Sequence, residues 1–174
     1  MANKRGEYSE IHYDSTRYKV LEHDTFWLSD TPDKPSVGWD AALERICTYG
    51  LFENLESGEK LWVFNTHFDH KGETAREKSA ELIVTKIKEI NTDNLPVVLT
   101  GDFNLTPDEK PIHLIKNYMQ DGQEITKSPF YGTSGTFNGF EPDRILDHRI
   151  DYIFVKNLKV KNYTHIDDRL ENLK

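Results

Sequence analysis

Apolar and polar residues alternate over several short runs of this chain, and only two stretches carry the three-to-four spacing of a helix. Residues 8–13 and 18–22 alternate, with the turn-forming Asp14-Ser15-Thr16 between them, which predicts a hairpin. Phe26-Trp27-Leu28 is a further apolar run, closed by Ser29-Asp30-Thr31-Pro32, and residues 33–38 read as a loop. Residues 46–54 and 60–67 form a second predicted hairpin around Leu55-Glu56-Ser57-Gly58-Glu59. Within it Leu61-Trp62-Val63-Phe64 is continuously apolar, as befits a central strand buried on both faces.

The helices are announced by their starts. Thr74-Ala75-Arg76-Glu77 has the form of a capping box, and Ala75, Leu82, Ile83, Ile87 and Ile90 then recur at helical spacing. Thr106-Pro107-Asp108-Glu109 repeats the box with proline at the first helical position, predicting a shorter helix to about Tyr118. Pro96-Val97-Val98-Leu99-Thr100 lies between them as a buried strand, and residues 150–155 form the last strand. Strands interleaved with helices in this order predict an α/β (α+β) class with mixed sheets, in one domain spanning 1–174.

Composition narrows the chemistry. The formal net charge is −8 and no dense Lys/Arg cluster occurs, which disfavours a protein that holds long nucleic acid by its phosphates. Cys47 is the only cysteine, so neither an internal disulfide nor a cysteine metal site is open to the chain; in Arg45-Ile46-Cys47-Thr48-Tyr49 it reads as a small buried residue. No apolar stretch is long enough to span a membrane, nothing marks a protein partner, and the compartment is not encoded in these residues.

The polar residues at the strand ends carry the candidate chemistry. His67 follows Trp62-Val63-Phe64, and Asp102 and Asn104 follow Val97-Val98-Leu99. Asp151 instead opens its strand, as expected if that strand runs antiparallel to the others. In Gly101-Asp102-Phe103-Asn104, period-two spacing sends Asp102 and Asn104 to one side and Phe103 into the core. Aspartate can take a proton from water, and asparagine can donate to a phosphoryl oxygen without adding charge. Each residue also has a purely structural reading: an Asx turn for the tetrapeptide, a core histidine for His67, a salt bridge from Asp151 to Arg149 or Arg144. His67, Asp69 and His70 resemble a metal cluster, with a hydrogen-bonded loop pair as the alternative for Asp69 and His70.

Taken together, Gly6-Glu7-Tyr8, Phe26-Trp27-Leu28-Ser29-Asp30-Thr31-Pro32, Asn65-Thr66-His67-Phe68-Asp69-His70, Gly101-Asp102-Phe103-Asn104, Gly135-Thr136-Phe137-Asn138-Gly139 and Arg149-Ile150-Asp151-Tyr152-Ile153-Phe154-Val155 resemble the endonuclease/exonuclease/phosphatase superfamily. The resemblance implies the DNase I-like four-layer sandwich, two mixed, mainly antiparallel sheets flanked by helices. It implies hydrolysis of a phosphodiester or phosphomonoester by in-line attack of an activated water, with Mg²⁺ (or Mn²⁺) polarising the phosphoryl oxygen. His67 is then expected at the scissile phosphate, Asp102 on the attacking water, Asn104 on the phosphate and on Asp102, and Asp151 behind a later histidine. Trp27, Tyr131 and Phe137 are candidates for the substrate side, each with core packing as its alternative.

The chain departs from that pattern at both ends. The family's first strands carry an Asn and then the main metal Glu, and only Met1 to Arg5 precede Gly6. Its closing Ser-Asp-His does not follow Asp151, and Thr164-His165-Ile166 lacks the pattern. Glu7 and Glu10 are poor replacements for the metal Glu. The expectation is therefore a domain incomplete at both ends, with weak or absent metal binding, reduced stability and a tendency to associate. Two other readings remain open. One is a non-catalytic phosphate-binding fragment or scaffold. The other is a metallo-β-lactamase-like zinc hydrolase, whose His-x-His-x-Asp-His pattern Asn65-Thr66-His67-Phe68-Asp69-His70 matches except at Asn65. The substrate, whether nucleic acid, nucleotide, phospholipid or sugar phosphate, is not resolved by sequence.

Overall fold

A computed structural model of the chain describes residues 8–141 and 143–166. Its frame is a six-stranded sheet in the order β1-β2-β3-β4-β6-β5. The strands are β1 (Tyr18–Trp27), β2 (Ile46–Asn54), β3 (Lys60–His67), β4 (Val97–Asp102), β5 (Gln120–Asp121) and β6 (Asp151–Lys156). Helix α1 (Glu73–Ile90) crosses from β3 to β4, which are parallel; every other neighbouring pair is antiparallel. This mixed sheet with helices is the α/β class expected, and the described residues build one sheet where the resemblance implies two.

Alternation decides which face is which. Cys47, Trp62, Phe64, Val97, Leu99, Tyr152 and Phe154 point to one side, where α1 and α2 (Lys110–Lys116) cover them with Ala80, Ile83, Ile87, Ile112 and Ile115. Each fully buried side chain of this size contributes about 1.5–3 kcal/mol of transfer free energy, so this helix-covered face carries most of the stability. Leu61, Val63, Asn65 and His67 alternate to the opposite face and are half-buried there. Leu61-Trp62-Val63-Phe64 is thus fully buried on one face only; among the described residues it is 11–13, not a second layer of helices, that lie over the other.

Several expected elements differ. Residues 8–13 are not a strand: they run across the open face, where Asn65 Nδ2 donates to the Glu10 carbonyl (2.9 Å) and Tyr13 meets Phe52 edge-on at 5.3 Å. The first hairpin is therefore β1 with β2, and β1 absorbs both residues 18–22 and Phe26-Trp27. Thr74 does not cap α1. The carboxylate of Asp40, a distant loop residue, accepts the Thr74 and Ala75 N–H groups (3.2 and 2.6 Å), so a tertiary contact replaces the local box. At the second box only the reverse half forms, Thr106 N–H donating to Glu109 (2.6 Å) while the Thr106 hydroxyl turns to Asp108. The helix starts later, with Pro111 rather than Pro107 in its first turn, and ends at Lys116.

Cys47 is fully buried, and burial pushes its thiol well above the ordinary value, as an inert core residue requires. Among the described residues no helix is long and apolar enough to cross a membrane.

Candidate active site

The open face carries a polar row at the ends of three central strands. His67 of β3 is the register partner of Asp102 of β4, and Asp102 is the partner of Asp151 of β6. Register partners on neighbouring strands face the same side, so the three side chains stand together over the sheet. All three line a cavity of about 600 Å³. The antiparallel β6 expected from the position of Asp151 is what makes this possible: its first residue meets the last residue of β4.

Two features hold the row in place. Gly101 has φ +155°, and a Cβ there would collide with the Thr66 carbonyl of β3, so only glycine lets the strands close at this point. One residue after Asp102, Phe103 is fully buried and packs edge-on against Phe68, Tyr152 and Phe154 at 4.8, 5.5 and 5.4 Å. Phe103 thereby anchors the strand end in the core while Asp102 faces the cavity.

Asp102 Oδ1 accepts the Asn104 N–H (2.8 Å), and its other oxygen lies 3.6 Å from His67 Nε2. That separation suits an ion pair when His67 is protonated and is too long for a hydrogen bond. Burial, reinforced by the Asp151 carboxylate, raises the Asp102 carboxyl above the ordinary aspartate value against the opposing pull of Asn104 N–H and His67. Asn104 sits at φ +50° and gives its Nδ2 to the Phe68 carbonyl (2.9 Å). It is not among the residues lining the cavity; the donor expected at a phosphate oxygen is used within the fold.

Neither basic neighbour neutralises Asp151. Arg149, 6% exposed, is paired with Asp121 at 2.7 Å and lies 4.3 Å over the Tyr152 ring, while Arg144 contacts His148 at 3.2 Å. What fixes Asp151 is its backbone: Thr136 Oγ accepts the N–H groups of Ile150 (3.1 Å) and Asp151 (3.2 Å).

Asp69 and His70 belong to the loop. Burial alone would raise the Asp69 carboxyl, but the N–H groups of Gly72, Lys71 and Ala42, with Arg45 beside them, hold it well below the ordinary range. His70 Nδ1 is 3.2 Å from Arg45 Nη2. With Asp69 1% exposed and fully committed, the zinc reading loses its ligands, and the hydrogen-bonded loop pair is what the fold contains. Among the described residues no three His, Cys, Asp or Glu side chains are gathered closely enough to hold a metal ion. The Glu10 carboxylate is turned to His12 at 3.1 Å, and Gly6 and Glu7 lie outside the described residues.

The aromatic candidates do not line the cavity. Trp27 closes the far strand β1, and Phe137 pairs its backbone with His148 and stacks edge-on with Phe140 at 5.3 Å. Tyr131 is 72% exposed, so it is not core, and it pairs with Thr164 beside the cavity wall. The wall is made instead by Thr133, Thr136, Leu146, Thr164, His165 and Ile166. Sequence pattern pointed to this region through Gly135-Thr136-Phe137 but favoured the aromatic over the hydroxyl beside it.

The family model described as "Endonuclease/Exonuclease/phosphatase family" matches residues 14–170. Among solved structures, the Bacteroides thetaiotaomicron VPI-5482 mannosyl-6-phosphatase Bt3783 is 40% identical with a TM-score of 0.83, over 90% of this chain and 60% of that one. Among curated proteins, uncharacterized protein L388 of Acanthamoeba polyphaga mimivirus is 34% identical over 134 residues, 70% of this chain and 49% of that protein. Protein angel of Drosophila melanogaster is 31% identical over 107 residues, 60% of this chain and 29% of that protein. The chain thus spans about half of L388 and less than a third of angel. The human Nocturnin catalytic domain, 17% identical with a TM-score of 0.60 over 82% of this chain and 50% of that one, shares the fold.

Proposed function

Because the chain belongs to the endonuclease/exonuclease/phosphatase family, whose members are hydrolases acting on phosphoesters, we propose that it contributes the water-activating half of a divalent-metal-dependent phosphoesterase. The observation that carries this reading is the single row His67–Asp102–Asp151 facing one cavity.

Asp102 is the proton acceptor for the attacking water. Its raised carboxyl is a stronger base than an exposed aspartate, and Asn104 N–H occupies one oxygen so that the other is presented to the cavity. His67, when protonated, donates to a phosphoryl oxygen and offsets the charge that grows there. Asn104 acts on Asp102 rather than on substrate, and Asp151, held by Thr136, sets the acidic side of the row.

The family generally uses a divalent metal. In donor type Asp102 and Asp151 suit a hard cation such as Mg²⁺ or Mn²⁺; in number they fall short, since no third ligand joins them among the described residues. A metal bound in the whole protein supplies polarisation of the phosphoryl oxygen, and the roles above belong to this chain's own side chains.

The wall supports a choice of substrate class. Among the described residues none of those lining the cavity is Lys or Arg, while threonine hydroxyls and small apolar groups are abundant. Such a surface fits an uncharged, hydroxyl-bearing leaving group better than a polynucleotide, which needs cations along its backbone. The resemblance to a mannosyl-6-phosphatase supports the same choice, a sugar phosphomonoester. The test is release of orthophosphate from a hexose 6-phosphate and from p-nitrophenyl phosphate, beside cleavage of a single-stranded oligonucleotide, with Mg²⁺ and with chelator. Hydrolysis of the monoesters that needs Mg²⁺ and is lost in Asp102→Ala is expected; hydrolysis of none of the three rejects the reading. The incomplete ligand set favours one second reading, a phosphate-binding module, which orthophosphate binding without turnover would identify.

A further inference from the structure

One residue ties together two segments of the cavity wall, 131–133 and 164–166. His165 makes two hydrogen bonds to a single short stretch: its N–H donates to the Tyr131 carbonyl (3.1 Å), and its ring Nδ1 lies 2.7 Å from the Thr133 carbonyl. A carbonyl can only accept, so Nδ1 carries a hydrogen and donates it to Thr133. Nε2 is buried and has no hydrogen-bond partner among the described residues. The ring packs edge-on against Phe130 at 5.0 Å and Tyr163 at 5.5 Å. Among the described residues the imidazole thus has one polar partner, the Thr133 carbonyl.

The backbone confirms how tightly the two segments meet. Gly132, at φ +109°, faces the His165 carbonyl so closely that any Cβ would collide with it. From Thr133 the chain runs directly to Gly135 and Thr136, both on the cavity, and Thr136 holds the Ile150 and Asp151 N–H groups. His165 therefore stands at the start of a short path along the cavity wall: ring to Thr133, and Thr133 to Gly135 and Thr136.

We propose that His165 is a positioning residue that sets the leaving-group wall of the cavity, determining affinity for the part of the substrate beyond its phosphate. The inference rests on the reading of the cavity as a phosphoester site. The phosphate end, at His67 and Asp102, lies on other strands and is not held by this clamp.

The full chain is compared with His165→Asn, His165→Phe and His165→Gln. Asparagine places an amide donor where Nδ1 stands; phenylalanine keeps the ring packing without a donor; glutamine moves its donor toward the Nε2 position. Calorimetric binding of a hexose 6-phosphate and of orthophosphate is measured for each, with thermal unfolding as a check of folding and KM and kcat where turnover occurs. His165→Phe is expected to weaken hexose phosphate binding, or raise KM, by about 10-fold with orthophosphate binding unchanged, and His165→Asn to stay within about 3-fold of the parent. Should His165→Phe unfold, His165→Gln takes its place with the same expectation. Equal weakening of both ligands, no weakening of either, or no recovery in His165→Asn overturns the proposal. If the parent chain binds both ligands and turns over neither, the binding ratio still decides the role of His165 while the hydrolase reading falls. If it binds neither ligand, both fall.

Discussion

Asp102 and Asp151 are register partners across the antiparallel β4–β6 pair, so two carboxylates share one face of the sheet at adjoining strand ends. Burial makes Asp102 harder to ionise, and the neighbouring Asp151 carboxylate adds to the effect. Holding Asp102 ionised beside a second carboxylate costs the fold stability near neutrality.

Asp102→Asn should therefore stabilise the protein while removing activity. A carboxyl raised in the folded state stabilises the fold fully below the unfolded value near 3.8, and that contribution is lost as pH rises through the folded value. Near neutrality the ionised form is a burden that asparagine lacks. Thermal unfolding should show Tm up by about 2–4 °C at pH 7 with no gain below pH 4, for a relief of about 1 kcal/mol. Turnover should drop about 100-fold or more. A lower Tm at pH 7 would contradict the assignment.

Asp69 behaves in the opposite sense. Its carboxyl is held below the ordinary value, so its contribution is present above about pH 4 and is lost as pH falls toward the lower folded value. Asp69→Ala leaves Arg45, 3% exposed, without its carboxylate and frees several loop N–H groups. Breaking a buried pair from one side costs about 3–5 kcal/mol. Urea unfolding at pH 7 should show this loss, and the difference from the parent should shrink under acid.

Gly101→Ala tests the strand closure. The added methyl meets the Thr66 carbonyl, a backbone atom with no room to turn aside. We expect a loss of about 2 kcal/mol or more in urea unfolding, together with loss of turnover, because His67 and Asp102 depend on the same β3–β4 register. Parent-like stability would show that the strands can separate here without cost.

Thr136→Val removes the oxygen that accepts the Ile150 and Asp151 N–H groups while keeping the side chain's shape. Stability should fall by about 1 kcal/mol, the cost of leaving part-buried donors unmet, and Thr136→Ser should recover most of it. Amide hydrogen exchange at Ile150 and Asp151 reads the effect directly: protection should drop in the valine variant and return in the serine variant.

How much of this was legible beforehand depended on distance along the chain. The apolar strand runs within 46–54, 60–67 and 96–100, helical recurrence from Ala75 to Ile90, and the buried Phe103 beside an outward Asp102 are local patterns, and the structure contains them, although 61–64 is fully buried on one face only. The spacing of polar residues at strand ends likewise brought forward His67, Asp102 and Asp151, because a strand's outward positions are fixed by counting from its buried ones.

What only the tertiary structure decided are the contacts whose partners are far apart in sequence. Asp40 caps α1 in place of Thr74, and Arg149 goes to Asp121, 28 positions away, instead of Asp151. Asn104 gives its amide to Phe68, and the His165 ring goes to the Thr133 carbonyl, 32 positions earlier. Local pattern states which face a residue takes, since that depends on the backbone's own period. It does not state which side chain satisfies a given donor, because that choice is made when the strands align, and burial then leaves each polar atom only the neighbours the register provides.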